Sequence, residues 1–246
     1  MPANRLAARS PRIGRRASIS AVLLAVVSAS VALAAGETSR DILNAVLWMQ
    51  TSAEYRALMQ QSWRLATERL QSAMQPGSAA LEQADMPATR LASLPTAVIV
   101  DLDETILDNS YFEARMVRDH VAYSDEIWDA WMKEAAAPVL PGAREFLEEA
   151  ARRGHRVFYL SNRACRPPAA TANQPCPARA WTQPNLVSLG LPGAADPSSL
   201  LLPSDRPEWG SNDKSARRAW IGERYRIIAM AGDDLRDFVE RSTFEA

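Results

Sequence analysis

Ala97-Val98-Ile99-Val100-Asp101-Leu102-Asp103-Glu104-Thr105 decides the fold: four apolar residues run directly into a cluster of carboxylates. A short β-rich apolar run, flanked by Pro95 on one side and acids on the other, reads as a buried parallel strand. Working outward, Val157-Phe158-Tyr159-Leu160 is a second such strand, Leu200-Leu201-Leu202 a short third and Ile227-Ile228-Ala229-Met230 the last. Between them, Pro141-Gly142 starts a helix through Arg153, with Phe146, Leu147 and Ala150 on one face and Gly154 ending it. Asp213 can cap a helix running to about Arg224. Residues 164–210 carry nine of the 16 prolines and read mostly as loop. Strand, helix, strand, helix, strand predicts an α/β fold with a parallel sheet and right-handed crossovers.

Upstream, residues 37–74 read as helix, with Leu43, Val46, Leu47, Leu58, Leu65 and Leu70 at helical spacing and Pro76-Gly77 stopping it. Trp48, Tyr55 and Trp63 lie on or near it as core or docking residues. A polar, Pro-punctuated stretch over residues 76–95 leads into the first strand.

The N-terminus has a different texture. Arg5, Arg9, Arg12, Arg15 and Arg16 precede an apolar run from Ile19 to Ala35 that contains Ala32-Leu33-Ala34. Positive n-region, short h-region and Ala-x-Ala site read as a secretory signal over residues 1–34. The alternative is a retained membrane anchor, for which the run is short and Ala/Ser-rich. Arg15-Arg16 leaves twin-arginine export open beside the general route. No Cys lies near the cleavage point, so a lipid-modified N-terminus is not available there.

Composition bounds the rest. At 246 residues and 47% hydrophobic, the chain has enough apolar mass for one real core. Its 28 basic and 29 acidic residues argue against a nucleic-acid protein, and removal of the signal's five Arg leaves 23 against 29, a charge of −6. Two cysteines, Cys165 and Cys176, exclude a disulfide-dense scaffold and a cysteine-rich zinc module. In an oxidising compartment they would pair and staple the loop after the second strand. His120 and His155 read as surface residues.

In open α/β sheets, ligands bind outside the carboxyl ends of the strands. The polar clusters fall there: Asp101 to Thr105 after the first strand, Ser161-Asn162-Arg163 after the second, and Gly232-Asp233-Asp234-Leu235-Arg236-Asp237 after the last, with Lys214 opening the preceding helix. If strand geometry persists, Asp101 and Asp103 share a face. With Asp233 they offer oxygens for Mg²⁺, which would relieve their mutual repulsion. A carboxylate beside Mg²⁺ can attack phosphorus, and a neighbouring carboxyl can protonate the leaving oxygen and then activate water. Ser161 and Lys214 would bind the non-bridging oxygens. The chain has 26 Arg but only Lys133 and Lys214, and a Lys supplies a compact point charge where Arg would impose a planar fork.

Asp101-Leu102-Asp103-Glu104-Thr105, Ser161-Asn162-Arg163, Asp213-Lys214-Ser215 and Gly232-Asp233-Asp234-Leu235-Arg236-Asp237-Phe238 resemble the four motifs of haloacid dehalogenase-superfamily phosphatases. Within that superfamily the chain resembles the bacterial class C acid phosphatases, the lipoprotein 5′-nucleotidase type. Val46-Leu47-Trp48-Met49-Gln50 with Ser52-Ala53-Glu54-Tyr55 is similar to that branch's N-terminal helix, so the resemblance covers roughly residues 41–238. It implies a Rossmann-like core over residues 95–246, an N-terminal helical segment over 35–94 and a small cap insertion over about 106–138. Tyr111, Phe112, Trp128 and Trp131 of that insertion could stack on a leaving group or pack in the core.

Carried over by position, the resemblance implies Asp101 as nucleophile and Asp103 as general acid/base. Asp101, the backbone carbonyl of Asp103 and Asp233 would ligate Mg²⁺. Ser161 and Lys214 would hold the phosphoryl group, Asn162 and Arg163 would shape the pocket, and Asp234 and Asp237 would stand behind these. Two departures accompany it. The branch's lipid-anchoring Cys is missing, which favours a periplasmic or secreted protein without a stable membrane anchor. The sequence also stops eight residues after Phe238, short of a segment that in the family completes the core and part of the substrate wall. The implied activity is an exported Mg²⁺-dependent acid phosphatase acting on small phosphomonoesters such as nucleoside 5′-monophosphates. A catalytically weak ligand-binding relative with an incomplete pocket is the alternative.

Overall fold

A computed structural model describes residues 42–73, 80–164, 176–203, 205–209 and 212–240. The signal-peptide reading over 1–34 and the Pro76-Gly77 stop lie outside the described residues.

Four parallel strands, β1 (Thr96–Val100), β2 (Arg156–Leu160), β3 (Leu200–Leu201) and β4 (Arg226–Ala231), form one sheet in the order β3-β2-β1-β4. The decisive apolar stretch is thus a central strand, and its side chains alternate between two cores. Val98 and Val100 join the larger core with Phe146, Leu147, Trp131 and Leu186. Ala97 and Ile99 join the smaller one with Phe158, Trp209 and Ile221. Both faces are covered, which is why the strand reads as continuously apolar rather than alternating.

The N-terminal helix is two pieces rather than one. Residues 42–51 are helical, Ser52 turns extended, and a second helix (Ala53–Ser72) begins with the Ser52 hydroxyl accepting from the Tyr55 amide at 3.0 Å. That second helix docks through Trp63 and Leu70, which are buried, while Leu43, Leu47, Leu58 and Leu65 are exposed. Four of the six leucine and valine positions that mark the helix in sequence therefore do not form its packed face. Trp63 lies 5.1 Å from Phe146 of the helix Ala143–Arg152. Gly142 opens that helix at φ +89°, and a Cβ there would meet Trp63 Cβ at 3.0 Å, so the approach of the two helices needs glycine.

Residues 164–210 hold more helix than their prolines suggest. Pro177–Ser188 is helical, with Pro177 at its start where an amide N–H has no partner to lose. Its buried face carries Thr182 and Asn185 beside Ala178 and Leu186, so no apolar stripe announced it. Asn185 Nδ2 donates to Ala137 O at 3.1 Å, repaying the polar burial.

Residues 106–138 leave the core and return at adjoining points: Leu140 N donates to Ile106 O, and Asp108 N to Pro138 O, each at 2.9 Å. They carry helices Ser110–Asp119 and Asp125–Glu134. Phe112 and Trp131 are buried in the core rather than presented to a ligand, and Tyr111 is exposed. His155 is also buried, against the surface reading, where its Nδ1 shares a 2.7 Å hydrogen bond with Thr96 Oγ1. Cys176 is disulfide-bonded, and the Cys165 half of the expected pair lies outside the described residues. Among the described residues, no helix is long and apolar enough to cross a membrane.

Candidate active site

The chain beyond β1 turns at once. Ile106 N and Leu107 N both donate to Leu102 O, and Glu104 adopts φ +58° to close the turn. Asp101 and Asp103 thereby meet different partners.

Asp101 is buried and bonded to Lys214 Nζ, itself only 2% exposed. The same ammonium donates to Asp237 Oδ1 at 2.6 Å. Among the described residues, Asp101, Asp233 and Asp237 each offer a carboxylate oxygen within 4.8 Å of the others. Burial, the charge of Asp103 and the charge of Asp237 together outweigh Lys214 and push Asp101 up to about 7. Burial likewise raises Asp233, against a 3.2 Å bond from Thr105 Oγ1. Three hard oxygen donors whose mutual repulsion is only partly offset by one ammonium fit a hard divalent cation such as Mg²⁺.

Asp103 is turned the other way. Its carboxylate takes Arg163 Nη2 at 2.7 Å and Nε at 3.1 Å, Asn109 Nδ2 at 2.9 Å and Ser161 Oγ at 3.3 Å. Burial alone would raise it, yet the Arg163 charge and these hydrogen bonds hold it below the usual carboxylate range. Its carboxylate is absent from the three-oxygen cluster, which leaves only its backbone carbonyl for the role the motif resemblance gives it. Glu104, beside it, is pushed up to about 8 by burial first and by the Asp103 charge second.

The remaining sequence candidates converge on the same edge. Ser161 is fully buried at the end of β2, its amide bonded to Leu201 O at 3.2 Å. Arg163 is spent on Asp103 and on Thr182 Oγ1 at 3.0 Å, with its face 5.6 Å from the Trp128 ring. Asn162 Oδ1 accepts from Arg217 Nη2 at 2.6 Å. Asp234 caps the turn Leu235–Asp237 within the last motif, accepting from Arg236 N at 2.8 Å, and its own amide donates to Asp237 Oδ2 at 3.1 Å. Asp237, read from sequence as standing behind the site, thus faces the cluster directly.

Arg217 and Asn109 were not legible beforehand. Arg217 is fully buried and ties the end of β2 to the Lys214 loop: Nη1 donates to Ser161 O at 2.7 Å, and Nη2 reaches Asn212 O and Asp213 O at 3.4 and 3.3 Å. Burial draws it down to about 10. Its position three residues after Lys214 was the one available signal. A cavity of about 340 Å³ opens beside the cluster, walled by Met59, Trp63, Met230 and Phe238 and reaching Thr105 and Asp233.

The chain is similar to known proteins over most of its length. The family model of the HAD superfamily, subfamily IIIB (acid phosphatase), matches residues 15–245. Two structures of the class C acid phosphatase from Bacillus anthracis, one with tungstate bound, are 28% identical and superpose with TM-scores of 0.65 and 0.64 over 82% of this chain and 72% of theirs. Acid phosphatase 1 of Solanum lycopersicum is 28% identical over 147 residues, 58% of this chain; the chain spans about half the length of that relative. Four ordered motifs, a parallel sheet that gathers them at one edge and a match along nearly the whole sequence have one explanation: the chain belongs to the HAD superfamily, subfamily IIIB, the acid phosphatases.

Proposed function

We propose that this chain is an exported, Mg²⁺-dependent acid phosphatase that hydrolyses small phosphomonoesters, nucleoside 5′-monophosphates among them, through an aspartyl-phosphate on Asp101. One observation carries the reading: a buried carboxylate, Asp101, is held by the buried Lys214 within reach of Asp233 and Asp237. Export rests on the signal-like sequence of residues 1–34.

Asp101, Asp233 and Asp237 would hold the cation, together with the Asp103 carbonyl; bound there, it neutralises substrate and carboxylate charge. Lys214 and Ser161 orient the phosphoryl oxygens and offset charge that develops on them. The Asp101 carboxylate attacks phosphorus, and Asp103 gives its proton to the departing oxygen. Asp103 then takes a proton from the water that attacks the phosphorylated Asp101, releasing phosphate and restoring both groups. Arg163 holds Asp103 below the usual carboxylate range, so its protonated form is populated only toward acid pH, in keeping with an acidic optimum.

The test is phosphate release from a nucleoside 5′-monophosphate by the purified chain at about pH 5.5, with Mg²⁺ or with EDTA. Release that requires Mg²⁺ and vanishes in Asp101→Asn supports the reading. Retained turnover in Asp101→Asn overturns the mechanism, and saturable phosphate binding without turnover would instead favour a ligand-binding protein.

A further inference from the structure

The two oxygens of Asp103 are not equivalent. Oδ1 accepts three N–H groups, from Asn109 Nδ2 at 2.9 Å and from Arg163 Nη2 and Nε at 2.7 and 3.1 Å. Among the described residues, Oδ2 receives Ser161 Oγ at 3.3 Å and the shared Arg163 Nε at 3.1 Å. Both lone pairs of Oδ1 are held by N–H groups of Asn109 and Arg163, whereas Oδ2 faces the Ser161 hydroxyl, which can turn to accept, so a proton on this carboxyl sits on Oδ2. That oxygen lies beside Ser161, the residue assigned to the phosphoryl group.

Arg163 supplies two of the three donors to Oδ1, and the third comes from a buried relay in the 106–138 segment. Trp131 Nε1 donates to Asn109 Oδ1 at 2.8 Å, and Trp131 and Asn109 are 3% and 2% exposed. Indole N–H can only donate, so the amide oxygen must face Trp131 and the amide NH₂ must face Asp103. Asn109 is further anchored by its backbone N–H, which donates to Glu104 Oε1 at 3.2 Å. On the opposite side Thr182 Oγ1 accepts from Arg163 Nη1 at 3.0 Å.

Resting on the phosphatase reading above, we infer that Trp131 and Asn109 are positioning residues for Asp103: together with Arg163 they hold Oδ1 and so turn Oδ2 toward Ser161. In the first step a bond forms between Asp101 and phosphorus. The phosphorus–leaving-oxygen bond breaks with its electron pair going to that oxygen, and the Asp103 Oδ2 proton moves onto it. If the relay fails, Arg163 still holds the carboxylate but Oδ1 regains a free lone pair, the proton divides between the two oxygens and it is delivered less often.

A leaving group that departs unaided needs that proton less than a poor one does, so the test compares two esters. In the full chain, Trp131→Phe keeps an aromatic side chain, though a smaller one, and removes the N–H, and Asn109→Leu removes the donor to Asp103. The readout is kcat/KM, which reports the phosphorylation step, for an alkyl phosphate and for 4-nitrophenyl phosphate. Trp131→Phe should lower the alkyl ester's kcat/KM by about tenfold, Asn109→Leu by about a hundredfold, and both should change the nitrophenyl ester's by less than about threefold. KM for the nitrophenyl ester should stay near the wild-type value. An equal fall on both esters in Trp131→Phe, with an unfolding midpoint like the wild type's, would show a merely structural role and overturn the inference. No fall on either ester would overturn it too. A wild-type chain inactive on both esters would instead remove the phosphatase reading itself.

Discussion

Asp237 packs directly over Gly232: a Cβ at position 232 would lie 2.2 Å from Asp237 Oδ2 and 2.5 Å from its Cβ. The glycine of the last motif is thus what allows a carboxylate to fold back onto the end of β4 and reach Lys214. Gly232→Ala should displace Asp237, weaken Mg²⁺ binding and cost about 1–3 kcal/mol of stability. Titration calorimetry with Mg²⁺ and urea unfolding check this, and wild-type affinity in the variant would refute it.

Lys214 bridges Asp101 and Asp237 while itself only 2% exposed. Lys214→Met leaves two buried carboxylates without their ammonium, and Lys214→Arg brings a planar fork to a place shaped for a point charge. Both should lower kcat/KM by about a hundredfold or more, the Met variant most, in phosphate-release assays. An active Lys214→Arg would argue against a point-charge role.

Arg217 donates to Ser161 O, Asn162 Oδ1 and the Asn212–Asp213 backbone, linking two motif-bearing loops. Arg217→Met keeps much of the volume but strands those acceptors, each unpaired buried group costing about 1–3 kcal/mol. We expect a lowered urea midpoint together with a raised KM, because Ser161 would lose its support. A lowered midpoint with KM unchanged would confine Arg217 to the fold.

Asp101 and Glu104 are pushed up by burial to about 7 and about 8. A carboxyl raised on folding holds its proton more tightly in the folded state. Its stabilisation is complete below the unfolded value and is lost as pH rises through the folded one. Metal-free protein should therefore lose stability from about pH 4 to pH 8. Asp103, held low by Arg163 against its burial, and Asp196 and Asp234, held low by hydrogen bonds from Arg156 and Arg236, act in the opposite sense. Their stabilisation is present above the ordinary carboxylate range and lost only as pH falls further. Urea midpoints in EDTA at about pH 5 and pH 7.5 test this. Mg²⁺ should flatten the decline by favouring ionised Asp101, and a midpoint independent of pH over that range would contradict it.

Ala97 to Val100, Val157 to Leu160 and Ile227 to Met230 named their strands directly, because a strand covered on both faces must be apolar at every position. The polar tips that follow them were equally legible, since a parallel sheet brings all its carboxyl ends to one edge. Which partner each tip chose was not. Asp101 and Asp103 stand two positions apart, yet one faces Lys214 and the other Arg163, because the 102–107 turn ends the strand geometry between them.

The helix Ala53–Ser72 divides the same way. Its sequence carries one apolar stripe through Leu58 and Leu65 and another through Met59, Trp63 and Leu70, on faces about 130° apart, and periodicity supports either. Shape decided between them: the Trp63 stripe fits Gly142 and Phe146, while Leu58 and Leu65 are left in solvent. The helix Pro177–Ser188 stayed hidden because Thr182 and Asn185 are buried for hydrogen bonds that only distant residues supply. The sequence by itself therefore determined the strands, their order of motifs and the chemical kind of each site residue, all properties of local pattern. Only the tertiary structure decided the pairings, because a buried charge or amide is held by whichever partner the packing of remote segments brings within hydrogen-bond reach.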